Sequence, residues 1–127
     1  EVRAWADRDR LIQILVNVVD NAIKYTPAGG TITFQSLLLG DQRISLQVKD
    51  TGQGIPSIDL PRITERFYRV DRARSREEGG TGLGLSIVKH LLQLLGGKLR
   101  IQSELGKGTT MEVILPVSSP NLVNKLS

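Results

Sequence analysis

Residues 31–49, TITFQSLLLGDQRISLQVK, decide the architecture. Ile32 and Phe34, then Ile44, Leu46 and Val48, alternate with polar neighbours, and Gly40-Asp41 stands between the two runs. Alternation with a period of two, broken by a turn pair, predicts a β-hairpin over Thr31–Leu38 and Arg43–Lys49 with one buried face. A hairpin fixes an antiparallel pair, which separates this chain from folds built on a parallel, doubly wound sheet.

Outward from the hairpin the periodicity changes. Upstream, Leu11, Ile12, Leu15, Val18, Val19, Ala22 and Ile23 recur at helical spacing between Asp7, a suitable N-cap, and Tyr25. Thr26-Pro27-Ala28-Gly29-Gly30 ends that helix. Downstream, residues 50–82 carry glycines and prolines and only a short helical stretch around Leu60–Tyr68. A connection this long inside a small domain is usually functional or mobile. An apolar helix follows over Leu83–Leu95, ended by Gly96-Gly97, and then two alternating segments, Lys98–Ser103 and Thr109–Leu115, around Gly106-Lys107-Gly108. Helix, two strands, long loop, helix, two strands predicts an α+β two-layer sandwich, with helices on one face of a mixed, mainly antiparallel sheet. Residues 1–116 form the expected domain, Pro116 closes it, and 117–127 read as a tail or linker.

Composition narrows the chemistry. The 127 residues contain no cysteine and one histidine, His90, so disulfide scaffolds, thiolate metal sites and multi-histidine centres are excluded. No apolar run approaches the roughly 20 residues of a membrane span, and a first residue of Glu1 reads as the start of a piece of something longer. The net charge of +4 and pI near 9.8 invite a nucleic-acid reading. Much of the excess, however, lies in Arg62, Arg66, Arg69, Arg72, Arg74 and Arg76, interleaved with Glu65, Asp71, Glu77 and Glu78. Only two Phe, two Tyr and one Trp are available to stack on bases.

Four glycine-bearing segments remain: Gly29-Gly30, Asp50-Thr51-Gly52-Gln53-Gly54, Gly80-Thr81-Gly82-Leu83-Gly84-Leu85 and Gly106-Lys107-Gly108-Thr109. None has dinucleotide-fingerprint or Walker A spacing. Alternating glycines at the start of an apolar helix let amide N–H groups converge on an anion, with the helix dipole adding to the attraction. On the first helix Asn17, Asn21 and Lys24 share one stripe, read here as lying opposite the apolar face. It is either an ordinary solvated face or, through the side-chain carbonyls, a place for a hard cation such as Mg²⁺.

Asn17–Tyr25, Asp50–Gly54, Glu65-Arg66-Phe67-Tyr68-Arg69 and Gly80–Leu85 occur in that order. Together they closely resemble the ATP-binding catalytic domain of sensor histidine kinases, of the Bergerat fold shared by gyrase, Hsp90, histidine kinases and MutL. The resemblance covers Asp7 to Pro116. It implies an N box in which Asn21 is the Mg²⁺ ligand, Asn17 lines the same site, Lys24 faces phosphate and Tyr25 borders adenine. It implies that Asp50 accepts a hydrogen bond from the adenine amino group, a position where guanine's carbonyl would be repelled. Gly52 and Gly54 let the backbone pass close to the base, with Ile55 beside them. Gly80, Thr81, Gly82, Leu83, Gly84 and Leu85 meet the phosphates, and Thr109, after Gly106 and Gly108, helps shape the adenine pocket. The arginine-rich stretch becomes an ATP lid, with Arg69 the cation for the terminal phosphate and Phe67 packing its hinge. Thr64 stands where the family commonly has phenylalanine.

The same resemblance implies binding of Mg·ATP and transfer of its γ-phosphoryl to a histidine on a separate dimerisation domain of the same protein, in two-component signalling with a response regulator. Asn21, Lys24 and Arg69 carry the catalysis. His90, in the helix after the glycine segment, is expected to be structural, since the phosphoacceptor belongs to another domain. The expected setting is cytoplasmic, in a homodimeric parent whose isolated domain is a monomer, with no nucleic acid. A related anti-sigma serine kinase, a nucleotide-sensing or interaction module without transfer, and a basic nucleic-acid binder are the competing readings.

Overall fold

In the computed structural model, which describes residues 3–4, 7–40, 42–66, 68 and 84–118, the hairpin forms one side of the sheet. Strand β2 (Ile32–Leu39) pairs antiparallel with β3 (Arg43–Asp50), from Leu39↔Arg43 at the turn to Ile32↔Asp50 at the open end. The other edge of β3 pairs with β5 (Gly108–Ser118), Asp50 facing Thr109 and Arg43 facing Pro116. On its far edge β5 takes β4 (Lys98–Glu104) and, beyond it, the two-residue β1 (Arg3–Ala4). Every pairing among the described residues is antiparallel, so the parallel component of the expected mixed sheet is absent there. The strand expected to stop at Leu115 continues through Pro116 to Ser118, where Val117 and Ser118 face Ala4 and Arg3. No helix among the described residues is long and apolar enough to cross a membrane.

Among the described residues, two helices cover one face. α1 (Arg8–Tyr25) starts where Asp7 caps it, the Asp7 carboxylate accepting the Arg10 amide at 3.1 Å. α2 (Gly84–Leu94) packs beside it. The core joins Ile14, Val18 and Ala22 of α1 and Val88 and Leu92 of α2 to Val48, Met111, Val113 and Leu115 of the sheet. Each large apolar side chain so buried contributes about 1.5–3 kcal/mol. The helical reading needs one correction at this level. Ile14, which the periodicity omitted, is fully buried at the centre, whereas Ile12 and Ile23 are 48% and 58% exposed. Ile12 and Ile23 sit on the side of α1 turned away from both α2 and the sheet. Phe34 likewise shares the helix-side face with Val48 but stays 61% exposed. It lies on the edge strand, which the two helices leave largely uncovered.

Register places one polar row at the end of this apolar face. Asp50, Thr109 and Ser103 lie side by side across β3, β5 and β4, with Ile32 of β2 at the end of the row, and the next row inward is Phe34, Val48, Met111 and Ile101. The opposite face of the sheet carries its own polar group. Ser45 Oγ and Gln47 Nε2 donate to Glu112 Oε2 at 2.5 and 3.1 Å, with Arg100 3.7 Å from the other oxygen. The Ser45 hydrogen bond, then that of Gln47 and the charges of Arg100 and Lys98, hold Glu112 below the ordinary carboxylate range against the opposing effect of burial.

Candidate functional site

The polar row is centred on Asp50. That residue is 93% shielded from solvent, and its Oδ1 accepts two backbone hydrogen bonds, from Gly52 N–H at 2.8 Å and Thr109 N–H at 3.2 Å. A buried carboxylate requires such partners, because leaving the charge unpaired costs several kcal/mol. Both bonds fall on the same oxygen. Among the described residues Oδ2 has no hydrogen-bond donor, which leaves an acceptor oriented by a rigid frame.

The loop after β3 is strapped on both sides. Towards β2, Thr51 N–H donates to Thr31 O at 3.1 Å and Thr31 N–H returns a bond to Thr51 Oγ1 at 2.9 Å. Gln53 N–H reaches Tyr25 O at the end of α1 at 3.4 Å, and Gln53 O accepts Gly106 N–H from the β4–β5 turn at 2.8 Å. The two glycines are required by closeness. A Cβ on Gly52 would lie 2.3 Å from Tyr25 O, and one on Gly54, whose φ is +76°, would lie 2.3 Å from Glu104 O. The pattern D-x-G-x-G is therefore the sequence imprint of a loop wedged between the end of α1 and the β4–β5 turn.

Ile55 is held by a residue the sequence analysis did not single out. Its N–H donates to Ser103 Oγ at 2.8 Å, and the same hydroxyl contacts Gly108 O at 3.0 Å and Thr109 Oγ1 at 2.8 Å. The signal was present: a hairpin turning at residues 105–107 sets Ser103 opposite Thr109.

On α1, Asn17 and Asn21 are half-buried rather than opposite the apolar face. Asn21 Nδ2 points at Met111 Sδ, at 4.0 Å, and Asn17 Oδ1 lies 3.8 Å from the position a Cβ would take on Gly84. The stripe flanks the core on the side of α2, so it faces the start of the second helix, where Gly84 and Leu85 begin the described part of the glycine segment. Lys24, by contrast, is paired with Asp20 at 3.1 Å on the exposed side. His90 is exposed on α2, and Thr64 is half-buried next to the buried Ile63.

Beyond this row, Arg62 pairs with Glu65 at 3.1 Å and lies 4.6 Å over the Tyr68 ring, while Tyr68 donates its hydroxyl hydrogen to Asp59. The bond and charge of Glu65 raise the Arg62 pKa, and the hydrogen bond to Asp59 raises that of Tyr68. This part of the basic excess is thus engaged within the chain. Phe67, Arg69, Gly80, Thr81, Gly82 and Leu83, with the arginines from Arg72 to Arg76, lie outside the described residues.

Comparison with known proteins places this geometry. Residues 6–119 match the family model described as histidine kinase-, DNA gyrase B-, and HSP90-like ATPase. The chain is 46% identical over 111 residues to the sensor histidine kinase WalK of Bacillus subtilis (strain 168), covering 87% of this chain and 18% of that protein. It is 45% identical over 113 residues to the adaptive-response sensory kinase SasA of Synechococcus elongatus, covering 89% of this chain and 29% of that one. Among solved structures, a mycobacterial sensor histidine kinase, MprB, superposes with a TM-score of 0.81 at 32% identity, over 91% of this chain and 78% of the other. Full-length ShkA in complex with AMPPNP gives 0.76 at 35% identity, over 90% and 23%. The chain spans less than a third of the length of these two curated relatives. With nearly all of its residues inside the match, it belongs to the histidine kinase-, DNA gyrase B- and HSP90-like ATPase family, and its relatives there are sensor histidine kinases.

Proposed function

We propose that this domain binds Mg·ATP with its adenine on Asp50 and supplies the γ-phosphoryl group to a histidine of a separate dimerisation domain. The observation that carries the reading is the buried carboxylate whose Oδ1 is fixed by Gly52 and Thr109 while Oδ2 is left for a ligand donor. A fixed acceptor in a buried site fits an exocyclic amino group and disfavours a carbonyl at the same place.

The triphosphate then runs along the side of α1 that carries Asn17 and Asn21, towards the start of α2, whose dipole favours an anion. The chemistry of the donors fits Mg²⁺ arriving with the nucleotide. Asn21 and Asn17 offer neutral carbonyl oxygens, and among the described residues no cluster of three acidic, histidine or cysteine ligands stands ready to hold the ion alone. That matches a cation that keeps several waters and takes substrate phosphates as ligands. Bound there, Mg²⁺ would neutralise charge on the phosphates. Lys24 adds a cation after exchanging Asp20 for phosphate, and Arg69 closes from the lid. The acceptor imidazole nitrogen attacks the γ-phosphorus in line, the bond to the bridging oxygen breaks, and ADP leaves. A neutral imidazole is already nucleophilic, so the domain contributes positioning and electrostatics rather than a base. In this reading residues 1–116 are the working unit, the dimerisation domain and a response regulator are the partners, the homodimeric parent acts in the cytoplasm, and the isolated domain is a monomer.

The test is calorimetry with ATP, followed by transfer to an added dimerisation domain. Asp50→Asn should lose measurable ATP binding, and Asn21→Ala should lose Mg²⁺-dependent transfer while its fold is retained. Parent-like binding by Asp50→Asn, or parent-like transfer by Asn21→Ala, would remove the corresponding assignment.

A further inference from the structure

The hydroxyl of Ser103 has one hydrogen and two lone pairs, and it has three partners. Ile55 N–H, at 2.8 Å, can only donate, so it occupies one lone pair. Gly108 O, at 3.0 Å, can only accept, so it takes the Ser103 hydrogen. Either oxygen of the third contact, with Thr109 Oγ1 at 2.8 Å, could donate, and all three contacts are satisfied together only with Thr109 donating to the remaining lone pair. Thr109 is 6% exposed, and its hydroxyl hydrogen is thereby directed along the sheet to Ser103 rather than towards a bound base. What Thr109 can offer to a base is a lone pair. It stands next to Asp50 in the same cross-strand row, and Asp50 Oδ2 offers lone pairs as well.

We propose that Ser103 is a specificity-determining residue: by orienting the Thr109 hydroxyl it leaves only acceptors, Asp50 Oδ2 and Thr109 Oγ1, facing the 6-substituent of a bound purine, which selects a 6-amino group over a 6-oxo group. The inference rests on the reading of Asp50 as the adenine-binding carboxylate. Ser103 does not touch the nucleotide; it acts through Thr109, and through Ile55 it anchors the end of the loop that carries Gly52 and Gly54. The row Asp50, Thr109, Ser103 then works as one unit. The first residue supplies charge, the second a neutral acceptor, and the third fixes the direction of the second.

Removing the Ser103 hydroxyl frees the Thr109 hydrogen to turn towards the base and donate to a carbonyl. Inosine triphosphate is the probe, because it differs from ATP at the 6-position and its N1 without adding guanine's 2-amino group. In the 127-residue chain Ser103→Ala should weaken ATP and spare inosine triphosphate, so that the preference for ATP falls about tenfold, the equivalent of one hydrogen bond. Asp50 remains, so ATP stays the better ligand. Tripolyphosphate binding should not change, and the Ile55 amide should exchange its hydrogen faster. Ser103→Thr keeps the hydroxyl and should restore the preference. If Ser103→Ala does not fold, Ser103→Cys, whose thiol is a weak donor and acceptor, takes its place with the same expected direction. A preference within twofold of the parent, or an equal loss for ATP, inosine triphosphate and tripolyphosphate, overturns the proposal. Failure of the parent chain to bind ATP would instead overturn the Asp50 reading, so the two failures are distinguishable.

Discussion

Gly52→Ala tests the loop geometry with one methyl group. The added Cβ would lie 2.3 Å from Tyr25 O, 2.9 Å from Asp50 Oδ1 and 3.0 Å from Tyr25 C, whereas ordinary contact begins at 3.4 Å. The shortfall against Tyr25 O is about 1.1 Å (3.4 less 2.3), and two of the three obstacles are backbone atoms at the end of α1. The loop must therefore move, and a shift of that size would stretch the 2.8 Å bond from Gly52 N–H to Asp50 Oδ1 past hydrogen-bonding range. Overpacking costs about 1–3 kcal/mol, and a hydrogen bond to a charged group contributes about 1.5–3 kcal/mol. Part of the second loss is recovered if water enters, so a stability loss of about 2–4 kcal/mol in urea is expected. ATP affinity should fall by more than tenfold, because the carboxylate loses one of its two fixing bonds. Gly29→Ala is the control. Gly29 has a φ of +90° but nothing within 4 Å of its added Cβ, so it carries only a backbone cost of about 1–2 kcal/mol and should leave ATP affinity unchanged. Parent-like ATP affinity in Gly52→Ala, or equal affinity losses in the two variants, would refute the argument that the loop's closeness to α1 positions Asp50.

Asp20→Asn removes the exposed partner of Lys24; stability should change by less than about 0.5 kcal/mol, and calorimetry should show ATP binding two- to threefold tighter as Lys24 no longer exchanges partners. Asp7→Ala should cost about 1 kcal/mol by thermal unfolding, since the Arg10 amide loses its cap. Glu112 is depressed in the folded state, so its contribution to stability is present above the unfolded value of about 4.3 and is lost as pH falls through the lower folded value. Glu112→Gln should accordingly flatten the acid limb of a urea-stability profile between about pH 5 and 3, and an unchanged limb would remove Glu112 from that role.

How much of this was legible depended on whether an interaction was local. The N-cap at Asp7, the hairpin and the two glycine stops after the helices follow from short-range rules, and the element order was enough to specify a sandwich. The face of α1 was less legible. A helix with apolar residues at Leu11, Ile12, Leu15, Val18, Val19 and Ile23 has an apolar arc wider than one neighbouring layer can cover. Periodicity does not say which part of that arc meets the sheet; the position of α2 decides it, burying Ile14 and leaving Ile12 and Ile23 on the outer side. For the same reason periodicity puts Asn17 and Asn21 on a solvated stripe, although they border the second helix.

Ser103 marks a different limit. Its three partners, Ile55, Gly108 and Thr109, come from the loop after β3 and from the neighbouring strand, and no propensity or spacing rule links residues 55 and 103. Only the register of the β4–β5 hairpin together with the long-range β3–β5 pairing brings them together. Once β4 and β5 are paired about their turn, and β3 is paired to β5 from Asp50↔Thr109, the row Asp50, Thr109, Ser103 is fixed without further information. A slip of one residue in either the β4–β5 or the β3–β5 pairing would turn one member of the row to the opposite face and dismantle the proposed acceptor floor. The turn at Gly106 therefore bears on the proposed nucleotide selection from a distance, because it sets the β4–β5 register on which that selection depends. In the proposed site the glycine motifs bring the backbone close to the base, but the proposed discrimination between an amino and an oxo group is encoded in strand alignment.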